Sequence, residues 1–179
     1  MKKEIPLDKA NRIINNGPVV MVSTVYKKKP NIFSVAWSMP VSHSPSCVAI
    51  SSGLSNFSTR IIKETKEFVI NVPDVSLKEK VIGCGSVPGD NVDKFKRFEL
   101  TPVKSKKVKA PAIQECIGHL ECRVHRSLAI FDHIVFVGRV MAAYVDRDKW
   151  DFNGNIWRLE RCQILHHMGG EFFSTIGSI

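Results

Sequence analysis

The 179-residue sequence predicts a mainly β fold, an antiparallel barrel with a few short helices at its periphery. Three observations carry that prediction. Strand-like segments outnumber helical ones, the helical segments are short, and no strand–helix alternation of the kind that builds a doubly wound sheet runs through the chain. GxGxxG and Walker loops are absent, so a nucleotide-like ligand would be held without either device. The length suits one core, and residues 1–179 are read as a single domain.

The segment Gly17–Tyr26, "GPVVMVSTVY", opens with turn residues and continues as a β-branched run. "KKKPN" makes a charged turn before a second strand at Ile32–Ser38, and "SCVAISS" is a third, with Pro40 and Pro45 stopping regular pairing between them. In "NFSTRIIKETK" the period changes: Ile61, Ile62 and Thr65 share a helical face behind an Asn or Ser start signal. "EFVINVP" returns to strand. From Ser76, "SLKEKVIGCG" reads as a short helix with Leu77, Val81 and Ile82 inward and Gly83 or Gly85 as its stop. A loop follows, with a further short helix at Val92–Phe98. Two longer strands flank "FDH", and "RCQILHHMGG" adds a last strand-like patch.

Composition narrows the function classes. No apolar run approaches the roughly 20 residues that span a bilayer, and the N-terminus lacks the apolar stretch of a signal peptide, so a cytoplasmic protein without membrane contact is expected. The five cysteines are odd in number and form no CxxC pair, which argues for buried thiols over disulfides or zinc. The formal charge of +9 peaks in "KFKRFELTPVKSKKVK", a run that suits a solvated loop or an anionic partner. Nucleic acid is not expected, because only Phe95 and Phe98 offer stacking surfaces among those charges.

Two segments could carry binding chemistry. In "SSGLSNFSTRIIKET" a strand end, a loop of hydroxyl residues and a helix start follow one another, placing Ser52, Ser55, Ser58 and Thr59 near free helix N–H groups. Such an arrangement holds a phosphate, or it is plain N-capping by Asn56 or Ser58. Along Asn31–Ser51, Ser34, Ala36 and Ser38 alternate with Phe33, Val35 and Trp37, giving one small, hydroxylated face. That face admits a flat ring close to the backbone, or it packs under another element. His166 and His167 are adjacent, so a strand points them apart, and no metal site is expected there. No catalytic triad or carboxylate pair stands out. His119, His125 and His133 read as edge or interface residues.

The order of "NIFSVAWSMPVSHSPSCVAIS", "NFSTRIIKETKEFVINVP", "IGCGSVPGDNVDKF", "ELTPV", "LECRV", "DHIVFVGRV" and "HHMGG" resembles the flavin reductase-like, FMN-binding split-barrel family over Pro18–Gly170. The N-x-F-[ST]-x-A-W and D-K-F patterns are most similar to its flavoredoxin and archaeal ferric reductase branch. The resemblance implies a homodimer of six-stranded split barrels that hold FMN noncovalently, receive electrons from NAD(P)H and pass them to free flavin, Fe(III) or a protein. A flavoredoxin-type carrier that does not use NAD(P)H directly is the alternative. The flavin carries the chemistry, so no catalytic side chain is implied.

Carried onto this chain, the resemblance places Asn31, Ser34, Ala36, Trp37 and Ser38 against the isoalloxazine and Ser51, Ser52, Ser58 and Thr59 at the phosphate and ribityl chain. It places Asn71 and Val72 at the pyrimidine side, makes Lys94 a phosphate partner beside Cys84 and Gly85, and sets His167, Gly169 and Gly170 at the flavin border. Three departures stand out: Asp90 where many relatives carry a cation, Phe131 in "FDH" where Gly is usual, and Arg139 where Glu is common.

Overall fold

In the computed structural model, which describes residues 2–177, the β-branched runs pair into one seven-stranded antiparallel sheet. The first half supplies β1 (Val20–Tyr26), β2 (Lys29–Val35), β3 (Ser38–His43), β4 (Ser46–Gly53) and β5 (Glu67–Val72). A two-residue ladder, β6 (Pro102–Val103) with β7 (Ala112–Ile113), precedes the long hairpin of β8 (Gly118–Ile130) and β9 (His133–Val145). Two small hairpins close the chain: β10 (Trp150–Asp151) with β11 (Ile156–Trp157), and β12 (Leu165–Gly169) with β13 (Phe172–Thr175).

The sheet order is β2-β1-β5-β8-β9-β4-β3, so its two margins, β2 and β3, are consecutive in the chain. Only Ala36 and Trp37 separate them. A sheet whose margins are joined by two residues has to curl until they meet, closing at that corner and staying split elsewhere. Counted as one bent strand shared by both margins, β2–β3 makes the barrel six-stranded. The corner is pinned to β4, where Ser51 N–H donates to the Trp37 carbonyl at 2.9 Å. Here the structure corrects two expectations. Ile32–Ser38 is not one strand, and Pro40 lies within β3 opposite Val48 because a margin strand does not need the missing N–H.

Both faces of β1 and β2 are covered, and their side chains alternate accordingly. Val20, Val22, Phe33 and Val35 point into the barrel with Ile50, Phe68 and Phe136, and Ile62 of α1 (Phe57–Thr65) packs with them. Met21 and Ile32 point outward onto Val81 of α2 (Lys78–Ser86) and Phe95 of α3 (Lys94–Arg97). Helix α2 runs through both glycines expected to stop it. The Phe98 ring occupies the space of a Gly83 Cβ, 2.3 Å from its edge, and a Cβ on Gly85 would sit 3.4 Å from Ser34. These glycines permit close packing.

Two loops bear on the rest of the molecule. The β1–β2 turn places Lys27 and Lys28 at φ of 47° and 66°, the left-handed pair that Asn-Gly usually supplies. In the basic run, the wholly buried Glu121 carboxylate accepts the backbone N–H groups of Lys106, at 2.7 Å, and Lys107. Lys104, Lys106, Lys107 and Lys109 therefore project from a fixed loop into solvent.

Candidate functional site

Three contiguous cavities follow the outer face of β2 around the barrel corner. The first, about 340 Å³, lies between the start of α1, the end of α2 and the Ser86–Asp90 loop. Asn56 occupies the N-cap position of α1 but makes no side-chain cap, so the first helix amides remain without that partner. Ser58 Oγ accepts a 2.8 Å bond from Asn31 Nδ2, which leaves its own proton to donate. Asn31 is 2% exposed and its Oδ1 has no partner.

Lys94, 3% exposed, lines the same cavity and donates to the Cys84 carbonyl at 2.6 Å. No described carboxylate pairs with it. Burial pushes the Lys94 ammonium below its ordinary range, with the Cys84 thiol acting the other way. The same burial raises Cys84 to about 11, against the pull of Lys94 and Lys80, so Cys84 is a neutral thiol whose carbonyl does the bonding. Cys84, Cys116 and Cys122 are all raised by burial first, and all five cysteines are free and buried.

Ser34 and Gly85 line both the first cavity and a second of about 240 Å³. Ser34 Oγ donates to the Val81 carbonyl at 2.5 Å, tying β2 to α2 and leaving the oxygen's lone pairs toward the groove. Opposite, His167 Nε2–H donates to Gly170 O at 2.9 Å while Nδ1 accepts from Asn15 Nδ2 at 3.4 Å. The turn that brings His167 there needs φ of 113° and 60° at Gly169 and Gly170, values that favour glycine. Ala36 separates this cavity from a third, about 380 Å³, walled by Trp37, Ser38 and Ser51. Trp37 packs on His133 with ring centroids 4.9 Å apart.

The structure thus gathers Asn31, Ser34, Ala36, Trp37, Ser38, Ser51, Ser58, Cys84, Gly85, Lys94, His167 and Gly170 along or directly beneath one groove, with Gly169 in its border turn. Others lie apart. Thr59 Oγ1 lies 2.8 Å from both Ser52 Oγ and Gly53 O, donating its one proton to the Gly53 carbonyl and accepting from the Ser52 hydroxyl, a lock between α1 and β4. Asn71 is spent inside the sheet: its amide donates to Met21 O and Ser23 Oγ, and its oxygen accepts from Ile113 N–H and His119. Val72 lines a further apolar cavity, which shares Ser38, Met39 and Ala49 with the third but none of the first cavity's residues. His119 belongs to a central strand rather than an edge.

Sequence reasoning missed Arg60, which lines the first cavity, and Glu171, which lines the second. Arg60 is two residues beyond Ser58 in the first turn of a helix, which was the available signal. Glu171 follows Gly170 directly. Asp90 lines the first cavity, Phe131 is 97% exposed at the hairpin tip, and Arg139 sits in β9 opposite Cys47. Among the described residues no group of three His, Cys, Asp or Glu side chains could hold a metal ion. Among the described residues no helix is long and apolar enough to cross a membrane.

A family model described as a flavin reductase like domain matches residues 14–170. The chain belongs to the flavin reductase-like family. A relative from Archaeoglobus fulgidus is 40% identical to this flavin reductase-like chain over 114 residues, a match spanning 64% of each protein. Flavoredoxin from Methanosarcina acetivorans has a similar structure, with a TM-score of 0.86 at 28% identity over 100% of this chain and 93% of that one. An FMN-binding protein from Thermus thermophilus shares the fold, with a TM-score of 0.85 at 18% identity over 98% of this chain and 94% of its own. The large antiparallel sheet is therefore an architecture shared with these proteins.

Proposed function

We propose that this chain is an FMN-binding flavoprotein oxidoreductase, passing electrons from NAD(P)H through bound FMN to free flavin, Fe(III) or a protein. The observation that carries the reading is Lys94, a buried cation with one carbonyl partner and, among the described residues, no carboxylate in ion-pair contact, in a cavity lined by Ser55, Ser58, Arg60 and Asp90. An unpaired buried charge is costly, and a phosphate dianion at this position would relieve the cost. The orphaned Asn31 Oδ1 lies just beneath, and beyond Ser34 the groove narrows to a small-residue face. These residues fit FMN, phosphate at Lys94 and ring toward Ala36.

FMN would supply the hydride and single-electron chemistry. The protein's part is binding and electrostatics. Lys94, Arg60 and the Ser58 hydroxyl would hold the phosphate together with the first amides of α1. β2 is a sheet margin, so backbone N–H groups facing away from β1 are free to bond a ring edge near Ser34 and Ala36. Trp37 and Ser38 would flank the ring on the corner side. No side chain is required to move a proton. Titrating purified protein with FMN should give saturable uptake with a shifted flavin spectrum; protein that takes up none would overturn the reading. Anaerobic mixing of loaded protein with NADH and NADPH tests the donor, and bleaching should saturate with one of them.

The fixed lysine loop favours a second reading of the electron source. Four exposed ammonium groups on a chain of net charge +9 would steer an acidic redox protein, as a flavoredoxin-type carrier requires. Bleaching that stays slow at high nicotinamide selects this reading. We further propose a homodimer: Leu128, Ile130 and Phe131 at the β8–β9 tip are 63%, 44% and 97% exposed, and a second copy would cover them. Light scattering should give twice the chain mass. A cytoplasmic location completes the reading, since five free thiols suit a reducing compartment.

A further inference from the structure

The first cavity holds one charged group that the phosphate reading leaves unused. Asp90 lines it together with Ser58, Arg60 and Lys94, so a carboxylate faces the same space of about 340 Å³ as two cations. It is spent on neither of them. Among the described residues Asp90 makes no ion pair and no side-chain hydrogen bond, whereas Asp93, three residues on, caps α3 and lies 3.9 Å from Lys96. The backbone sets its place. A Cβ on Gly89 would collide with the unpartnered Asn31 Oδ1, so the loop lies against the floor of the cavity, and Asp90 follows as an exposed residue at its mouth. Lys28 and Lys29 face Asp90 from the far side, across an adjoining cavity of about 470 Å³, and neither pairs with a described carboxylate.

We propose that Asp90 is an affinity-limiting residue, a carboxylate that competes with the flavin phosphate for the field of Lys94 and Arg60 and thereby keeps FMN exchangeable. The inference rests on the flavin reading above. In the empty site the carboxylate offsets part of the charge of Lys94 and Arg60, and in the filled site it faces a dianion of its own sign. Both effects oppose binding. Neither reaches the ring end of the groove, so they act on the phosphate alone. Asp90 is exposed, and Lys28 and Lys29 temper it, so water, salt and those lysines leave a moderate repulsion that shortens the stay of FMN without preventing it. Differences of this size fall mainly on the rate of release. A flavin that leaves once reduced suits free flavin as the acceptor.

The test is fluorescence titration of flavin-free protein with FMN and with riboflavin, which lacks the phosphate, on wild type, Asp90→Asn and Asp90→Lys. Asp90→Asn should bind FMN about three- to tenfold more tightly than wild type, the scale of removing one exposed charge from beside a dianion, with riboflavin unchanged. Asp90→Lys doubles the change in charge and should tighten FMN further. A gain in affinity cannot come from a damaged fold. The gain should shrink at about 1 M salt, where charges are screened beyond roughly 3 Å, and FMN release timed by dilution should slow by a similar factor. Asp90→Asn that binds FMN no more tightly than wild type, or that tightens riboflavin equally, would overturn the role of Asp90 and leave the flavin reading standing, as would a gain that salt does not reduce. Wild type that binds neither flavin would overturn the flavin reading and this inference with it.

Discussion

Asn71 and Lys94 are both fully buried polar residues, and their partners give them opposite meanings. Asn71 uses its hydrogen-bonding capacity within the protein, joining β1, β5, β8 and the end of β7. Lys94 has a single carbonyl. Replacing Asn71 with Ala orphans several buried groups at once, so Asn71→Ala should lose about 2–4 kcal/mol in chemical denaturation. Its FMN affinity should be unchanged in whatever fraction remains folded. This contrast was only half legible beforehand. The resemblance put both residues at the flavin, and composition marked Lys94 as one more charge in a solvated run. Which asparagine is satisfied, and which lysine is swallowed, depends on contacts across dozens of residues. Arg60 escaped for the same reason, since nothing local distinguishes a helix-start arginine facing a cavity from one facing water.

At the scale of elements, alternation in β1 and β2, the Ile61–Ile62 face of α1 and the long β8–β9 hairpin were readable because each rests on local period. The break at Ala36–Trp37 was not, because it is imposed by the opposite margin of the sheet. Nor was the course of α2, whose glycines answer to Phe98 and Ser34 instead of ending a helix. Gly138 in β9 shows the same long-range control. A Cβ there would lie 2.5 Å from the Phe68 ring and 3.0 Å from Cys122 Cβ, inside a filled barrel. Gly138→Ala should therefore cost about 1–3 kcal/mol by overpacking, seen as a lower midpoint in thermal melts. A melt indistinguishable from wild type would mean that the barrel interior is looser than described.

At the scale of the whole molecule, the split barrel gives a rigid frame on which a basic surface and an anion-seeking groove are mounted. Stability of the frame should depend on pH through His119, whose burial pushes it from 6.5 down to about 4, partly offset by its hydrogen bond to the Cys116 backbone carbonyl and by Glu121. Its folded form resists protonation that the unfolded chain accepts. The contribution is complete above about pH 6.5 and is lost as pH falls toward 4, amounting to about 3 kcal/mol at most. His119→Gln should flatten that slope in urea titrations run across the window, and an equally steep slope would assign it elsewhere. Ligand binding should depend most on Lys94, at the phosphate end of the groove. The most direct measurement compares FMN with riboflavin, which lacks the phosphate, on wild type and Lys94→Met. Wild type should prefer FMN, and the variant should lose about 10–100-fold for FMN with riboflavin nearly unchanged. Equal losses for the two ligands, or an FMN affinity that does not change, would contradict a phosphate at Lys94.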